Sequence, residues 1–214
     1  MIEPGTLAVF AAAALALLVV PGPAVLYIVT RSVHQGRRAG LASVLGIHVG
    51  TLVHVLAATI GLSALLVSSA TAFTVVKLLG AAYLVFLGVR TLLGRDSAAA
   101  GAPAGSARGR RRDFAEGIVV NVLNPKTALF FLAFLPQFVD PEQGHASLQI
   151  LLLGLIFMAL GFVTDSVWAL AAGTAGGVLR GSRRFALAQR YVSGSVFVGL
   201  GVVTALAGPH RSSG

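Results

Sequence analysis

Residues Asn121–Phe138 read NVLNPKTALFFLAFLPQF. The stretch is apolar enough to lie in a membrane, yet Asn121, Asn124, Pro125 and Lys126 fall within about a turn and a half of helix. Proline cannot donate its N–H, so it breaks the helical ladder and frees carbonyls for other partners. An ammonium at that depth is costly unless it is paired or working. A break, two amides and a cation together predict a binding element inside a bilayer.

The first half of the chain holds a counterpart. The apolar run Leu7–Val20 stops at Pro21, Gly22 and Pro23 and resumes at Ala24–Val29, about 100 residues before the second break. Interrupted hydrophobic segments at matching places in two halves are the mark of transporters with internal repeats.

Composition agrees with a membrane setting. The 214 residues are 56% hydrophobic and 11% charged, against roughly 25% charged in an average soluble domain. A formal charge of +9 would suit nucleic acid. However, 13 of the 14 arginines fall in three short segments: residues 31–38, 90–112 and 180–190. Basic residues are retained on the cytoplasmic side of membrane proteins, so this pattern is topology and no nucleic-acid partner is expected. There is no cysteine, which excludes disulfides and thiol chemistry. The N-terminus lacks a basic n-region and is expected to stay rather than be cleaved.

Six segments are long enough to span: Thr6–Thr30, Ala39–Val67, Phe73–Leu93, Phe114–Phe138, Leu148–Gly173 and Tyr191–Ala207. The arginines follow spans one, three and five, so those connections are cytoplasmic and both termini lie outside. With three spans per half, the halves enter the membrane in opposite directions. The expected fold is therefore an all-α integral membrane protein of six transmembrane helices, a 3+3 inverted repeat with spans one and four broken at proline. Residues 1–93 form the first repeat, 94–113 a flexible basic cytoplasmic linker, 114–208 the second repeat and 209–214 a short tail.

Candidate functional residues are few. The two lysines are Lys77, near the start of span three and able to snorkel, and Lys126, halfway through span four. Asp165 lies deep in span five and must be paired, hydrated or protonated; it reads as a proton carrier, a counter-charge for a substrate amine, or an ion-pair partner of a lysine. His48 and His54, six residues apart on a helix, point about 120° apart. No cysteine or carboxylate completes a metal set, so no metal or cofactor is expected, and His48 is the better candidate for a proton relay or an interhelical hydrogen bond. Gly46, Gly50 and His54 recur at intervals of four in span two, a spacing that suits close helix packing. Hydrolase and phosphate-loop signatures are absent, and no nucleophile or acid pair suggests an enzyme.

Three co-linear motifs, Pro21–Gly50 (PGPAVLYIVTRSVHQGRRAGLASVLGIHVG), Val75–Arg90 (VVKLLGAAYLVFLGVR) and Gly117–Val139 (GIVVNVLNPKTALFFLAFLPQFV), resemble the LysE/RhtB family of amino-acid exporters. The likeness runs through nearly the whole chain. It implies an inner-membrane efflux protein of six spans that uses the proton motive force. The family's motif positions correspond here to Pro21, Gly22, Pro23, Gly36, Gly40, Gly46, Gly50, Lys77, Gly80, Tyr83, Gly88, Asn121, Asn124, Pro125, Lys126 and Asp165. Many relatives carry an acid where this chain has Thr51, and its absence here makes a neutral, homoserine-like or small aliphatic substrate the better expectation than a cationic one. The partners expected are then an amino acid, protons and the lipid bilayer. The small-residue faces of spans two, five and six serve either internal packing or a homodimer. Alternatives from other classes are a passive amino-acid channel and an efflux protein for metals or toxic cations.

Overall fold

A computed structural model describes residues 2–68, 109–140 and 143–179, with scattered residues between 74 and 93 and between 187 and 206. Six α-helices are defined there: α1 (Pro4–Val19), α2 (Pro23–Gln35), α3 (Arg37–Ser68), α4 (Arg110–Val122), α5 (Pro125–Leu129) and α6 (Ala146–Leu179). A π-helical turn at Phe130–Phe134 and a 3₁₀ turn at Leu135–Phe138 extend α5. No β-strand occurs among the described residues. Two helices, α3 and α6, are long and apolar enough to cross a membrane, and there are four such elements if each bent pair counts as one.

The interruptions follow from local sterics. A residue before proline is pushed out of the helical region. Val20, ahead of Pro21, is extended at φ −71°, ψ 118°, and so is Gly22, ahead of Pro23. Asn124, ahead of Pro125, is extended at φ −78°, ψ 108°. Pro23 and Pro125 then each start a helix, where the missing N–H is no loss. The α1 and α2 axes differ by 50°, and those of α4 and the segment Pro125–Phe138 by 44°.

The two bent pairs lie side by side and antiparallel. Phe10 near the start of the first packs on Phe138 at the end of the second, with ring centroids 5.2 Å apart. In the middle, the Lys126 ammonium reaches the Val20 carbonyl. At the far end Arg31 lies 3.4 Å from Asp113. Each pair is followed by a long helix, α3 of 32 residues and α6 of 34.

Helix α4 packs against α3 with backbone nearly touching backbone. A β-carbon on Gly46 would stand 2.1 Å from the Phe114 carbonyl oxygen, and one on Gly117 would stand 2.8 Å from that of Ser43. Gly50 faces Asn121 and the Ile118 carbonyl in the same way. The small-residue spacing in span two therefore serves packing within the chain. A separate apolar core joins Phe10, Leu17, Val55, Phe130, Phe131, Phe134, Leu153 and Phe157. Its aromatic rings interlock, with Phe130 stacked on Phe157 at 4.3 Å.

Two boundaries differ from expectation. The first basic connection, placed at residues 31–38, contracts to Gly36, because α2 continues to Gln35 and α3 starts at Arg37. Gly36 takes φ 86°, which glycine adopts without strain, and its N–H caps α2 on the Ser32 carbonyl at 2.9 Å. Helix α4 begins at Arg110, inside the stretch taken as linker, and Asp113 there is fully buried. The rest of that linker, most of spans three and six, and the tail at 209–214 lie outside the described residues.

Candidate functional site

Each break leaves carbonyls without a helical donor, and the site is built from what serves them. Pro125 has no N–H for the carbonyl of Asn121, which accepts instead from the Asn124 N–H at 3.0 Å and from His54 Nε2 at 2.9 Å. His54 must therefore carry its proton on Nε2. The ring of Phe131 lies nearly parallel to it, 6.2 Å away. At the first break, the Val20 carbonyl at the end of α1 accepts from the Lys126 ammonium. The lysine stem crosses Gly22, where a β-carbon would stand 2.8 Å from Cδ. Lys126 is 7% exposed, and its charge links one break to the other.

Asn121 is the hub of this junction. Its Nδ2 donates to the Ile47 carbonyl at 2.9 Å and to Thr51 Oγ1 at 2.8 Å, both on α3. Its Oδ1 accepts from Asn124 Nδ2 and from Thr127 Oγ1, each at 3.1 Å. Asn124 in turn caps α5, its Oδ1 accepting the Lys126 backbone N–H at 3.1 Å. The chain thus folds the second break onto α3 with side-chain amides, satisfying groups that lipid could not.

Opposite this junction stands Asp165 of α6, 4% exposed, with its Oδ2 3.3 Å from His48 Nε2. Phe162 packs edge-on to His48 at 5.4 Å. Gly161 leaves room for the imidazole, since a β-carbon there would meet His48 Cε1 at 3.1 Å. His48 and His54 serve different partners, as their angular separation on α3 predicts.

These groups line a cavity of about 30 Å³, room for about two waters. Gly22, His48, Thr51, Asn121, Asn124, Lys126 and Asp165, all expected from the sequence, line it. Pro21 is buried in the first break, and Pro23 and Pro125 start the helices beside it. Lys77 lies outside the described residues. The apolar wall of Leu17, Leu18, Val25, Ile47 and Phe157 was not anticipated, because apolar residues abound in every span. Nor was the His48–Asp165 contact, since it joins helices 117 residues apart in sequence. Chemically the cavity offers a cation at one side, an acid with a histidine at the other, and apolar surface between.

A profile of the LysE-type translocator family matches residues 15–208. The homoserine/homoserine lactone efflux protein of Salmonella typhimurium is 31% identical over 191 residues, covering 87% of this chain and 89% of that one. An uncharacterized membrane protein of Vibrio cholerae is 31% identical over 188 residues, with 87% and 90% covered. One from Bacillus subtilis is 27% identical over 199 residues, with 89% and 94% covered. No solved structure matches the chain. On the profile match over most of its length, this membrane protein belongs to the LysE-type translocator family.

Proposed function

We propose that the protein is a secondary transporter of the bacterial inner membrane that exports small neutral, homoserine-like amino acids from the cytoplasm, driven by the proton motive force. The observation that carries this reading is the joining of Lys126 and the Asp165–His48 pair in one buried cavity at the meeting point of two helix breaks. A zwitterion needs a cation for its carboxylate and an acid for its ammonium, and this cavity holds both. Lys126 turns from the Val20 carbonyl to the carboxylate, assisted by the amides that open α2 at Ala24 and Val25. Asp165 alternates between a proton and the substrate amine, with His48 as its relay. The apolar wall from Leu17 to Phe157 favours a short uncharged side chain, and Thr51 adds no second carboxylate for a cationic one.

Each bent pair is read as one broken span, and the sequence α1–α2–α3 followed by α4–α5–α6 as the described part of two inverted repeats. The antiparallel contact of the two pairs supports this. Protons, an amino acid and the bilayer are then the partners; of the small-residue faces that could join two copies, those of spans two and five are taken up within the chain. No catalytic role is assigned to any residue.

The test is export from dipeptide-loaded bacterial cells with and without the protein, following all released amino acids, with and without an uncoupler. Faster release of one or a few neutral amino acids, abolished by the uncoupler, is the expected result. Gain that survives the uncoupler would make the protein a facilitator or channel. Asp165→Asn should lose the dependence on the proton gradient; unchanged efflux at several pH values would remove Asp165 from the coupling.

A further inference from the structure

We propose that Tyr27, Arg31, Asp113 and Glu116 form the cytoplasmic gate of the cavity, closed here by ion pairs between α2 and α4 and opened when a zwitterionic substrate exchanges partners with them. This rests on the exporter reading and on the α2–α3 turn facing the cytoplasm.

The other described basic residues beside this turn behave as topology signals should. Arg37, Arg38, Arg110 and Arg111 are exposed. Arg31 is 2% exposed, and its Nε lies 3.4 Å from Asp113 Oδ1, a carboxylate with no exposure at all. Its Nη2 also pairs with Glu116 Oε2. The Tyr27 hydroxyl donates to the Asp113 carbonyl at 2.9 Å and lies 3.4 Å from Glu116 Oε2, while the Arg31 guanidinium stands 5.2 Å from the Tyr27 ring centre. Arg112 meets the other oxygen of Glu116 at 2.9 Å, so two arginines balance two acids.

The position of the cluster fits a gate. Ala24 and Asn121 line the cavity on α2 and α4. Arg31 is seven residues beyond Ala24 and Asp113 eight before Asn121, which puts the ion pairs about 10–12 Å below the cavity on both helices. Helix α4 is clamped to α3 by the glycine contacts at Gly46 and Gly117, whereas α2 meets α4 here through charges and a hydroxyl. The seam that can part is therefore the one between α2 and α4. Such contacts suit a two-state element, because each ion finds an equivalent partner in water or on substrate when the seam opens. An amino acid arriving from the cytoplasm presents an ammonium to Glu116, the partly exposed acid, and a carboxylate to Arg31. It thereby supplies both ions that the open seam lacks.

The chain has no cysteine, so Ala24→Cys places a single thiol in the cavity wall. Labelling by a charged, membrane-impermeant maleimide is followed in inside-out vesicles and in right-side-out spheroplasts. With the gate intact, labelling from the cytoplasmic face is slow. Adding Asp113→Asn with Glu116→Gln should accelerate it at least ten-fold from that face alone. Tyr27→Phe, which removes one hydroxyl and keeps every charge, should accelerate it two- to three-fold and decides the matter if the double variant does not fold. Unchanged labelling in a folded variant, or acceleration from the outer face only, overturns the gate. Export by the unmodified chain is measured alongside. Unchanged labelling with intact export sinks the gate and leaves the exporter, whereas absence of export sinks the exporter and the gate's role with it.

Discussion

Asn121 commits every polar group of its side chain to the protein: two donors to α3 and one oxygen accepting twice at the second break. Sequence alone placed it in a binding element, because an asparagine beside a break and a lysine advertises hydrogen-bonding capacity without naming its user. These four bonds bolt α3 to the break, and the same amide lines the cavity. Interhelical hydrogen bonds in membranes average about 0.6 kcal/mol each, so Asn121→Ala, losing four, should destabilise by about 2 kcal/mol. Thr51→Ala loses one of those four and its own bond to the Ile47 carbonyl, and should destabilise by about 1 kcal/mol. Thermal unfolding in detergent compares them, and equal losses would contradict the bolt. Lys126 contrasts with both. Lys126→Met takes the donor from the Val20 carbonyl as well as a buried charge, so it should destabilise by about 1–3 kcal/mol, while export per folded molecule drops at least ten-fold. Undiminished export per folded molecule would reassign the lysine to architecture. That an ammonium in mid-span demands a partner was legible in sequence; which partner, a carbonyl 106 residues away, was not.

The α3–α4 contact depends on the absence of side chains. At Gly46 an added methyl would meet backbone, which cannot rotate away, 2.1 Å from the Phe114 oxygen. Overpacking of this kind costs about 1–3 kcal/mol or more, so Gly46→Ala should lower the unfolding temperature and the yield of folded protein. Gly5→Ala has nothing within 4 Å and should do neither. Equal behaviour of the two variants would mean that α3 and α4 are not held at this distance. Both bend positions were readable beforehand, because proline acts through covalent geometry that no tertiary context removes. Harder to read were the features set by packing. The π turn at Phe130–Phe134 leaves no mark in FFLAF, and the buried start of α4 was hidden by the arginines around Asp113. A run such as RRRD carries the topology signal and one half of an internal ion pair at once, and composition reports only the first.

Across the molecule the cavity lies between two chemically different clusters. Toward Asp113 stand ions and a tyrosine, and away from it interlocked rings from Phe10 to Phe157. Ion pairs exchange readily for water or a zwitterion, whereas stacked phenylalanines re-form by apolar packing alone. A substrate loaded through the first and expelled through the second would travel in the direction of export, so the assignment of sides matters. The antiparallel contact of the two bent pairs puts Arg31 and Asp113 at one end, together with Arg37, Arg38 and the arginines that open α4. By retention of basic residues we propose that this end faces the cytoplasm. Green fluorescent protein inserted after Ala100 should therefore fluoresce, and alkaline phosphatase joined to Gly214 should be active, since each reporter works on one side of the membrane. The opposite pair of results would place the ion cluster at the outer face. The cluster facing the cytoplasm would then be aromatic, and the same cavity would be built to take substrate in.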